Sequence, residues 1–238
     1  MSALSTLWQR VTRDPRDDDG FTLAEMVVAI SILSVVLAMV MTMTISAQKS
    51  LGGNIARLDQ VQQGRLAIES MTKTLRTAVR PTQLSATCTG CDQAAFLQGD
   101  GRKVQFYANI NNPANILGPS KVTYNVDASG NLIETIQPPN AHAANDYNYQ
   151  YCTPGPSCPV VKRTLVSGIP ANVTLFTYYD PTGTAFSTLP LATSDLPRVD
   201  SMDVQVVVSR SSAVAPTTFI QRVTLPNADA VSQSTPSP

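Results

Sequence analysis

The 238-residue chain carries 17 basic and 17 acidic side chains, so its formal net charge is zero. This balance excludes a broad electrostatic attraction to nucleic acid or to acidic substrates. Charged residues make up only 14% of the chain, against about 25% in an average soluble domain. Such a composition is closer to an exported, β-rich surface protein than to a cytosolic enzyme, and the length allows one compact domain beside a membrane segment.

The N-terminal region divides into a polar leader and a long apolar run. Residues 1–19 are polar and end in three aspartates, whereas no charged side chain occurs from Met26 to Gln48. A run of this length spans the ~30 Å hydrocarbon layer of a bilayer as a helix. It is too long for an ordinary secretory signal and no small-residue cleavage site follows it, so we expect it to remain in the product.

Basic residues near the apolar run predict its orientation. Three arginines lie close to its N-terminal side, against Lys49 and Arg57 beyond its far end. Because basic residues set membrane orientation and acidic ones count for little, the sequence favours an N-terminus in the cytoplasm. We therefore expect a single-pass protein of the cytoplasmic membrane with its head outside.

A single carboxylate, Glu25, lies just inside the N-terminal edge of the apolar run. Burying an ion there costs roughly 2.5 kcal/mol or more, so an acidic residue in a membrane segment indicates a function by default. The alternative is that Glu25 reaches water at the interface and only caps the helix N-terminus, where a negative charge interacts favourably with the helix dipole.

The sequence G-F-T-L-A-E at residues 20–25, followed by the apolar run, resembles the class III leader and N-terminal segment of type IV pilins and pseudopilins. In that family a prepilin peptidase cuts after the glycine, here Gly20, and methylates the new N-terminal amine, here that of Phe21. Glu25 falls on the fifth mature position, which the family uses in subunit assembly. A carboxylate in the membrane that pairs with the N-terminal amine of a neighbouring subunit would offset the burial of both charges.

The resemblance also implies partners and a role. The partners are prepilin peptidase, other pilin or pseudopilin subunits and the inner-membrane assembly platform. Thr42 stands where many major pilins have a helix-kinking proline, which suggests a minor subunit, and the three aspartates replace the basic residues that many relatives have. Beyond residue 45 a looser similarity to large minor pseudopilins implies a subunit that initiates a filament or lies at its tip.

An amphipathic helix is predicted to follow the membrane segment of residues 21–45 and to occupy residues 46–80. Gly52-Gly53 is its likeliest bend, at about 1 kcal/mol per glycine relative to alanine, and Pro81 closes it. Apolar residues recur every three or four positions and form one stripe, which is expected mainly to contact the head. These residues are Leu51, Ile55, Leu58, Val61, Ile68, Met71, Leu75 and Val79. Polar side chains are expected on the opposite face: Arg57, Gln60, Gln63, Lys73 and Arg80.

Residues 81–226 are expected to form a β-rich head, and the Ser-, Pro- and Thr-rich residues 227–238 a disordered tail. Short runs of β-branched and aromatic residues predict strands over 104–108, 122–126, 132–136, 161–166, 173–179, 204–208 and 219–225. Hairpin-type turns are predicted at residues 127–131 and 180–183. The predicted fold class is α+β, with a long N-terminal helix packed on an antiparallel sheet, as in pilins.

Four cysteines form two short loops, Cys88–Cys91 and Cys152–Cys158. Local disulfides need only that each pair meets the geometric limits, and an exported head favours them. A four-thiolate zinc site would need both loops to converge on one metal, and only the first has the C-x-x-C spacing of zinc ribbons. Redox catalysis is the third interpretation. We expect disulfides and no metal.

Catalytic chemistry has little support in the sequence. His142, the only histidine, lies in a polar loop without a nucleophile motif, and Asp200 and Asp203 flank a predicted strand. We therefore predict a structural subunit that is not an enzyme and has no cofactor and no small-molecule substrate. A tip module that binds DNA or a surface is the alternative, although the scattered Lys121, Lys162 and Arg163 are too few to argue for nucleic acid.

Overall fold

The computed structural model describes residues 20–84, 93–141, 149–153, 155–210 and 214–228. Its first element is one helix, α1, which runs from Leu23 to Leu75 and contains 53 residues. By contacts the chain divides into two compact units, one up to Gly52 and one from Gly53 onward. Each unit is described by itself below.

The first unit contains the apolar part of α1. By length and composition α1 is long and apolar enough to cross a membrane. Four hydroxyl groups in this part bond to the helix backbone, as Ser31 Oγ does to the Val27 carbonyl at 2.7 Å and Thr42 Oγ1 to the Met39 carbonyl at 2.8 Å. Hydrocarbon offers no hydrogen-bond partners, so this internal bonding keeps the hydroxyls compatible with a bilayer.

The second unit holds two antiparallel sheets. The five-stranded sheet has the order β1-β2-β3-β4-β5, and the three-stranded sheet has the order β6-β7-β8. The strands are β1 Phe96–Gly99, β2 Lys103–Ala108, β3 Ser120–Val126, β4 Leu132–Gln137, β5 Val161–Val166, β6 Phe176–Tyr179, β7 Ser201–Val208 and β8 Thr217–Thr224. A long helix with antiparallel sheets confirms the predicted α+β, pilin-like fold class.

Each of the seven predicted strands has a counterpart, whereas β1 was not predicted. β1 contains only four residues, of which Phe96 and Gly99 are buried, so it is too short to display an alternating pattern. Its position comes from pairing with β2, where Gly99 lies opposite Val104. Long-range pairing rather than local sequence therefore makes this segment a strand.

Aromatic rings form the centre of one core in the second unit. Phe96, Phe106, Tyr124 and Tyr178 are all 0% or 1% exposed. The Phe96 ring lies 5.7 Å from that of Phe106 and 6.4 Å from that of Tyr178, between ring centroids. Aromatic pairs at such distances gain energy beyond their buried area. Because Phe96 and Phe106 belong to one sheet and Tyr178 to the other, these contacts join the sheets.

The buried face of α1 differs from the predicted stripe. Met71 and Leu75 are buried as predicted, but Leu51, Ile55 and Leu58 are 61%, 67% and 65% exposed. The residues that α1 buries are Gln60, Gly64, Ala67, Met71 and Leu75. The stripe prediction was therefore wrong at its N-terminal positions, and Gln60, which was placed on the solvent face, is 0% exposed.

Shape and hydrogen bonding explain why this face is buried. A Cβ atom at Gly64 would lie 2.2 Å from a ring carbon of Phe219 in β8, so only glycine leaves room for the ring. The amide of Gln60 lies 3.2 Å from both the Ala215 carbonyl oxygen and the Arg210 backbone nitrogen. A buried glutamine is tolerated because its polar atoms are bonded.

The helix ends at Leu75, five residues before the predicted boundary at residue 80. After it the backbone pairs with β2: the Val79 N–H donates to the Tyr107 carbonyl at 3.0 Å, and Asn109 N–H donates to Thr77 at 2.9 Å. This pairing replaces the helical hydrogen bonds before Pro81 is reached. Gly52 and Gly53, the predicted bend, both lie within α1.

Both predicted turns are present. Asp127 Oδ1 accepts from the backbone N–H groups of Ser129 at 2.9 Å and Asn131 at 2.8 Å, which closes the β3–β4 hairpin. Asp180 Oδ1 likewise accepts from the N–H groups of Thr182 and Thr184. In the region predicted as a disordered tail, Ala228 is only 3% exposed and belongs to the core; residues 229–238 lie outside the described part.

The ion pair of a buried carboxylate with Arg163 connects the five-stranded sheet to α1. Glu134 in β4 is 1% exposed and forms an ion pair with Arg163 in β5, whose side chain is 53% exposed. The Tyr124 hydroxyl donates to Glu134 Oε1 at 2.8 Å, and Arg163 also donates to Ser70 Oγ on α1 at 2.5 Å. Burial and the adjacent Glu134 charge raise the pKa of Tyr124 above its ordinary value.

Replacing Arg163 with Met should destabilise the second unit. Glu134 would keep Tyr124 as its partner but would lose its counter-charge, so we expect the free energy of unfolding to fall by about 2 kcal/mol. Urea unfolding of the detergent-solubilised chain, followed by circular dichroism, measures the change.

Arg210→Met is the matched control for that measurement. Arg210 pairs with Asp59 on α1, and the two side chains are 43% and 49% exposed. An exposed pair of this kind contributes less than about 1 kcal/mol. Equal losses in the two variants would contradict a special role for the buried carboxylate.

Candidate functional site

The predicted processing site lies immediately before the helix. Gly20, Phe21 and Thr22 are not helical, and α1 begins at Leu23. Phe21 is 85% exposed. A Cβ atom added to Gly20 would meet no atom of the described residues within 4 Å. Packing within the described part of the chain therefore does not require glycine at this position.

Thr22 and Glu25 form a capping box at the start of α1. The Thr22 backbone N–H and its hydroxyl both donate to Glu25 Oε2 at 3.0 Å. In return, the Glu25 N–H lies 3.3 Å from Thr22 Oγ1. This reciprocal arrangement of a threonine and a glutamate three residues apart satisfies helix N–H groups that have no partner within the helix.

The sequence interpretation missed the role of Thr22, although the signal was present. T-x-x-E before an apolar run is the capping-box pattern. The structure thus gives Glu25 a local role that agrees with the capping alternative. The cap uses only one of the two carboxylate oxygens of Glu25. Among the described residues, Glu25 Oε2 accepts both hydrogen bonds, and Glu25 Oε1 is left for a further donor.

The apolar part of α1 surrounds this carboxylate with hydrophobic surface. Phe21 and Leu23 are more than four-fifths exposed, and Val28 and Ile32 are 57% and 60% exposed. No residue of the most apolar window of the helix is buried by the described part of the chain. An apolar surface of this extent needs a bilayer or other protein chains to cover it.

Residues 15–41 match the family model of the prokaryotic N-terminal methylation motif. The N-terminal segment therefore carries a class III prepilin leader motif, consistent with a type IV pilin-like protein. The matched region includes Gly20, Phe21 and Glu25 and contains none of the strands. No curated protein matches the chain significantly.

The methylation motif has implications for processing, location and function. It implies processing by prepilin peptidase and assembly with other pilins. An apolar N-terminal helix that follows a prepilin leader fits a single-pass protein anchored in the inner membrane. A structural subunit is the function to which such a leader points.

The second cysteine loop is closed by a disulfide. Cys152 and Cys158 are bonded, with 5.7 Å between their Cα atoms, within the usual range for disulfides. Gln137 at the end of β4 donates its side-chain N–H to the Cys152 carbonyl at 2.6 Å. With two thiols in this bond, a four-thiolate zinc site is incompatible with the structure. Cys88 and Cys91 lie outside the described residues, as does His142.

Both carboxylate oxygens of Asp203 are bonded to protein side chains. Its two oxygens accept from Arg222 Nε and Nη2, each at 2.8 Å, and the Tyr179 hydroxyl donates to Oδ2 at 2.8 Å. Hydrogen bonding to Arg222 holds the pKa of Asp203 below its ordinary value. The pKa of Tyr179 is raised, chiefly by its hydrogen bond to Asp203.

Within the described ranges, no group of three or more His, Cys, Asp or Glu side chains converges on a metal position. Asp200 takes part in the structure through its backbone, since its N–H donates to the Tyr179 carbonyl at 2.9 Å. Asp200 immediately precedes β7, whereas Asp203 lies within β7 and pairs with Arg222 of β8.

The disulfide can be tested by peptide mapping. Trypsin cuts after Lys121 and Lys162, so both Cys152 and Cys158 fall in one peptide, residues 122–162. We expect that peptide, from protein denatured without reductant, to be lighter by two hydrogen atoms and to resist alkylation until it is reduced. Mass spectrometry before and after reduction gives the answer.

The other pairings give a different result in the same experiment. Cys88 and Cys91 fall in residues 77–102, because the bond before Pro81 resists trypsin. A covalent link between the two peptides would overturn the local pairing. Four free thiols in the denatured protein would restore zinc as a candidate.

Proposed function

We propose that the protein is a minor pilin or pseudopilin, a structural subunit of a type IV pilus or of a filament like that of type II secretion. The observation that carries this proposal is the methylation motif over residues 15–41, with the capped helix of Glu25 inside it. The α+β fold with its long N-terminal helix supports the same assignment.

In this proposal the chain is made as a precursor and cut between Gly20 and Phe21. The exposed, non-helical backbone at these residues gives a membrane peptidase access to the bond. Cleavage converts the Phe21 amide nitrogen into a free amine, which the peptidase methylates. This new amine is a cation, and it lies at the apolar end of a helix, where a buried charge needs a counter-ion.

Glu25 supplies that counter-charge during assembly. Its Oε2 is held by Thr22, which fixes the side chain at the helix start. Its Oε1 stays open to the N-terminal amine of a neighbouring subunit. Joining the two charges offsets the cost of burying each one, whereas either alone would oppose entry into an apolar filament interior.

A minor role is favoured by the unbroken helix at Thr42. The Thr42 hydroxyl bonds within the helix at the place where many major pilins have a kinking proline. We propose that the subunit initiates the filament or lies at its tip, with its head outside and its N-terminus in the cytoplasm before assembly. It works through its interfaces, with other subunits and the assembly platform as partners, and not as an enzyme.

Replacing Gly20 with Ala should block processing. The substitution is compatible with the described structure, because a Cβ at this position meets no atom of the described residues within 4 Å. We expect the uncut precursor to accumulate in the membrane, which immunoblotting and intact mass detect against the wild-type mature chain. Ser2→Ala, also within the leader, is the control and should be cut normally.

Normal cleavage of the Gly20→Ala chain would refute the assignment of the scissile bond. A cut elsewhere is recognised from the N-terminal residue of the mature chain, which the proposal requires to be Phe21. The same mass measurement reports N-methylation of that residue.

Two variants separate the charge of Glu25 from its capping role. Glutamine serves in a capping box as glutamate does, so Glu25→Gln keeps the cap and removes the charge. Thr22→Val removes the threonine hydroxyl bonds and keeps the charge. We expect Glu25→Gln to be cleaved but to fail to assemble, and Thr22→Val to assemble with at most a modest loss.

Filament recovery and subunit crosslinking in cells measure this difference. If Glu25→Gln assembles normally while Thr22→Val fails, the carboxylate acts only as a helix cap and its assembly role is wrong. Cleavage is scored separately in each strain, so that a processing defect is not counted as an assembly defect.

A further inference from the structure

The outward face of the five-stranded sheet collects three lysines that are far apart in sequence. The strand register places Lys103 opposite Asn125, and Lys121 opposite both Tyr107 and Gln137. Lys162 lies opposite Thr135. Because side chains alternate between the two faces of a strand, these residues point away from the core, in which Val104, Val122 and Leu132 are buried.

The three lysines line a shallow groove of about 300 Å³. The rest of its lining consists mainly of amide and hydroxyl side chains, including Gln105, Thr123 and Thr135, and contains no carboxylate. None of the three lysines forms an ion pair with a described residue. Partial burial lowers the pKa of Lys121 below its ordinary value, as expected for an amine that lacks a counter-charge.

Several other cations of the described head differ because they have acidic partners. Arg163, Arg210 and Arg222 pair with Glu134, Asp59 and Asp203. A second basic groove, along α1, contains Arg65, Lys73 and Arg76 but also Glu69. Of these two grooves, only the sheet groove has no carboxylate in its lining.

The aromatic residues beside the groove indicate which class of anionic polymer fits it better, nucleic acid or acidic polysaccharide. Lys121 Nζ lies 4.0 Å from the ring centre of Tyr151 and 5.9 Å from that of Tyr107, and Tyr107 is 4% exposed. Single-stranded nucleic acid binding relies on open aromatic faces for base stacking, and these rings are already engaged. Amide and hydroxyl groups beside cations instead match the hydroxyls and carboxylates of acidic sugars.

We propose that this face of the head binds an acidic polysaccharide, with Lys103, Lys121 and Lys162 contacting its carboxylates and Gln105, Thr123 and Thr135 its hydroxyls. Lys121 and Lys162 lie two strands apart, and the three Cα positions are spaced roughly 12–16 Å from one another by strand geometry. The ligand must therefore be an extended chain of several sugar units rather than a single monosaccharide.

The proposal is tested by measuring binding to the purified, detergent-solubilised full chain. Fluorescent oligogalacturonate is the probe, with a neutral glucan of the same length and a single-stranded DNA of matched charge alongside. We expect saturable binding of the oligogalacturonate that weakens as salt is raised, and no binding of the neutral glucan. The measurement needs no filament, so it does not depend on the proposed assembly function.

Charge-matched variants locate the site. Substituting glutamine for Lys103, Lys121 and Lys162 together should weaken oligogalacturonate binding by about tenfold or more, since each exposed ion pair contributes a modest increment. Substituting glutamine for Arg65, Lys73 and Arg76 in the helix groove removes the same charge and should change the affinity less than about twofold.

Three results would overturn the proposal. The first is no binding of oligogalacturonate by the wild-type chain, and the second is an equal loss in the two triple variants. The third is tighter binding of single-stranded DNA through the same lysines, which would assign the face to nucleic acid. Circular dichroism of each variant verifies that its fold is intact.

Discussion

The long helix α1 has an apolar, exposed first part and a second part that packs on the β-sheets, and the rest of the structure depends on this difference. From Met26 to Ala47, α1 carries no charged side chain, and four of its hydroxyls bond to its own backbone. From Gly53 it buries a single narrow face, in which Gly64 leaves space for the Phe219 ring and Gln60 bonds to the backbone beyond β7. The apolar composition of the first part is enough to favour a bilayer or other apolar surroundings. The second part is buried through shape, at Gly64, and through hydrogen bonding, at Gln60. A single sequence period therefore cannot describe the whole helix.

This difference explains how far the sequence could predict the fold. Strands with alternating apolar residues, such as β3 with its buried Val122, Tyr124 and Val126, carry their own signal, as do the Asp127 and Asp180 turns. β1 depends on its partner strand, and the buried face of α1 depends on which residues lie opposite it. Those are long-range properties, and a pattern that counts only hydrophobic residues places Gln60 on the wrong face and gives Gly64 no role.

The same distinction applies to the sites. The processing motif is local, so its residues could be identified in sequence, and the capping pattern of Thr22 with Glu25 was equally readable. The basic groove is not local, because Lys103, Lys121 and Lys162 come together only through the register of four strands. In sequence the three lysines are separated by 18 and 41 positions, and nothing in the local pattern links them. The pairing of the sheet converts them into one surface, while Arg163, next to Lys162, faces the core-side carboxylate instead.

The disulfide between Cys152 and Cys158 lies in the long connection between β4 and β5 and closes a loop with a sequence separation of six residues. Cytosolic thiols are kept reduced, whereas extracytoplasmic compartments oxidise them. On the proposed topology, the head therefore leaves the ribosome with this loop open and gains the bond only on the far side of the membrane. Gln137 then holds the closed loop against the end of β4. On this topology, reduced Cys152 and Cys158 indicate a molecule whose head is still in the cytoplasm, and the disulfide indicates a head that has crossed the membrane.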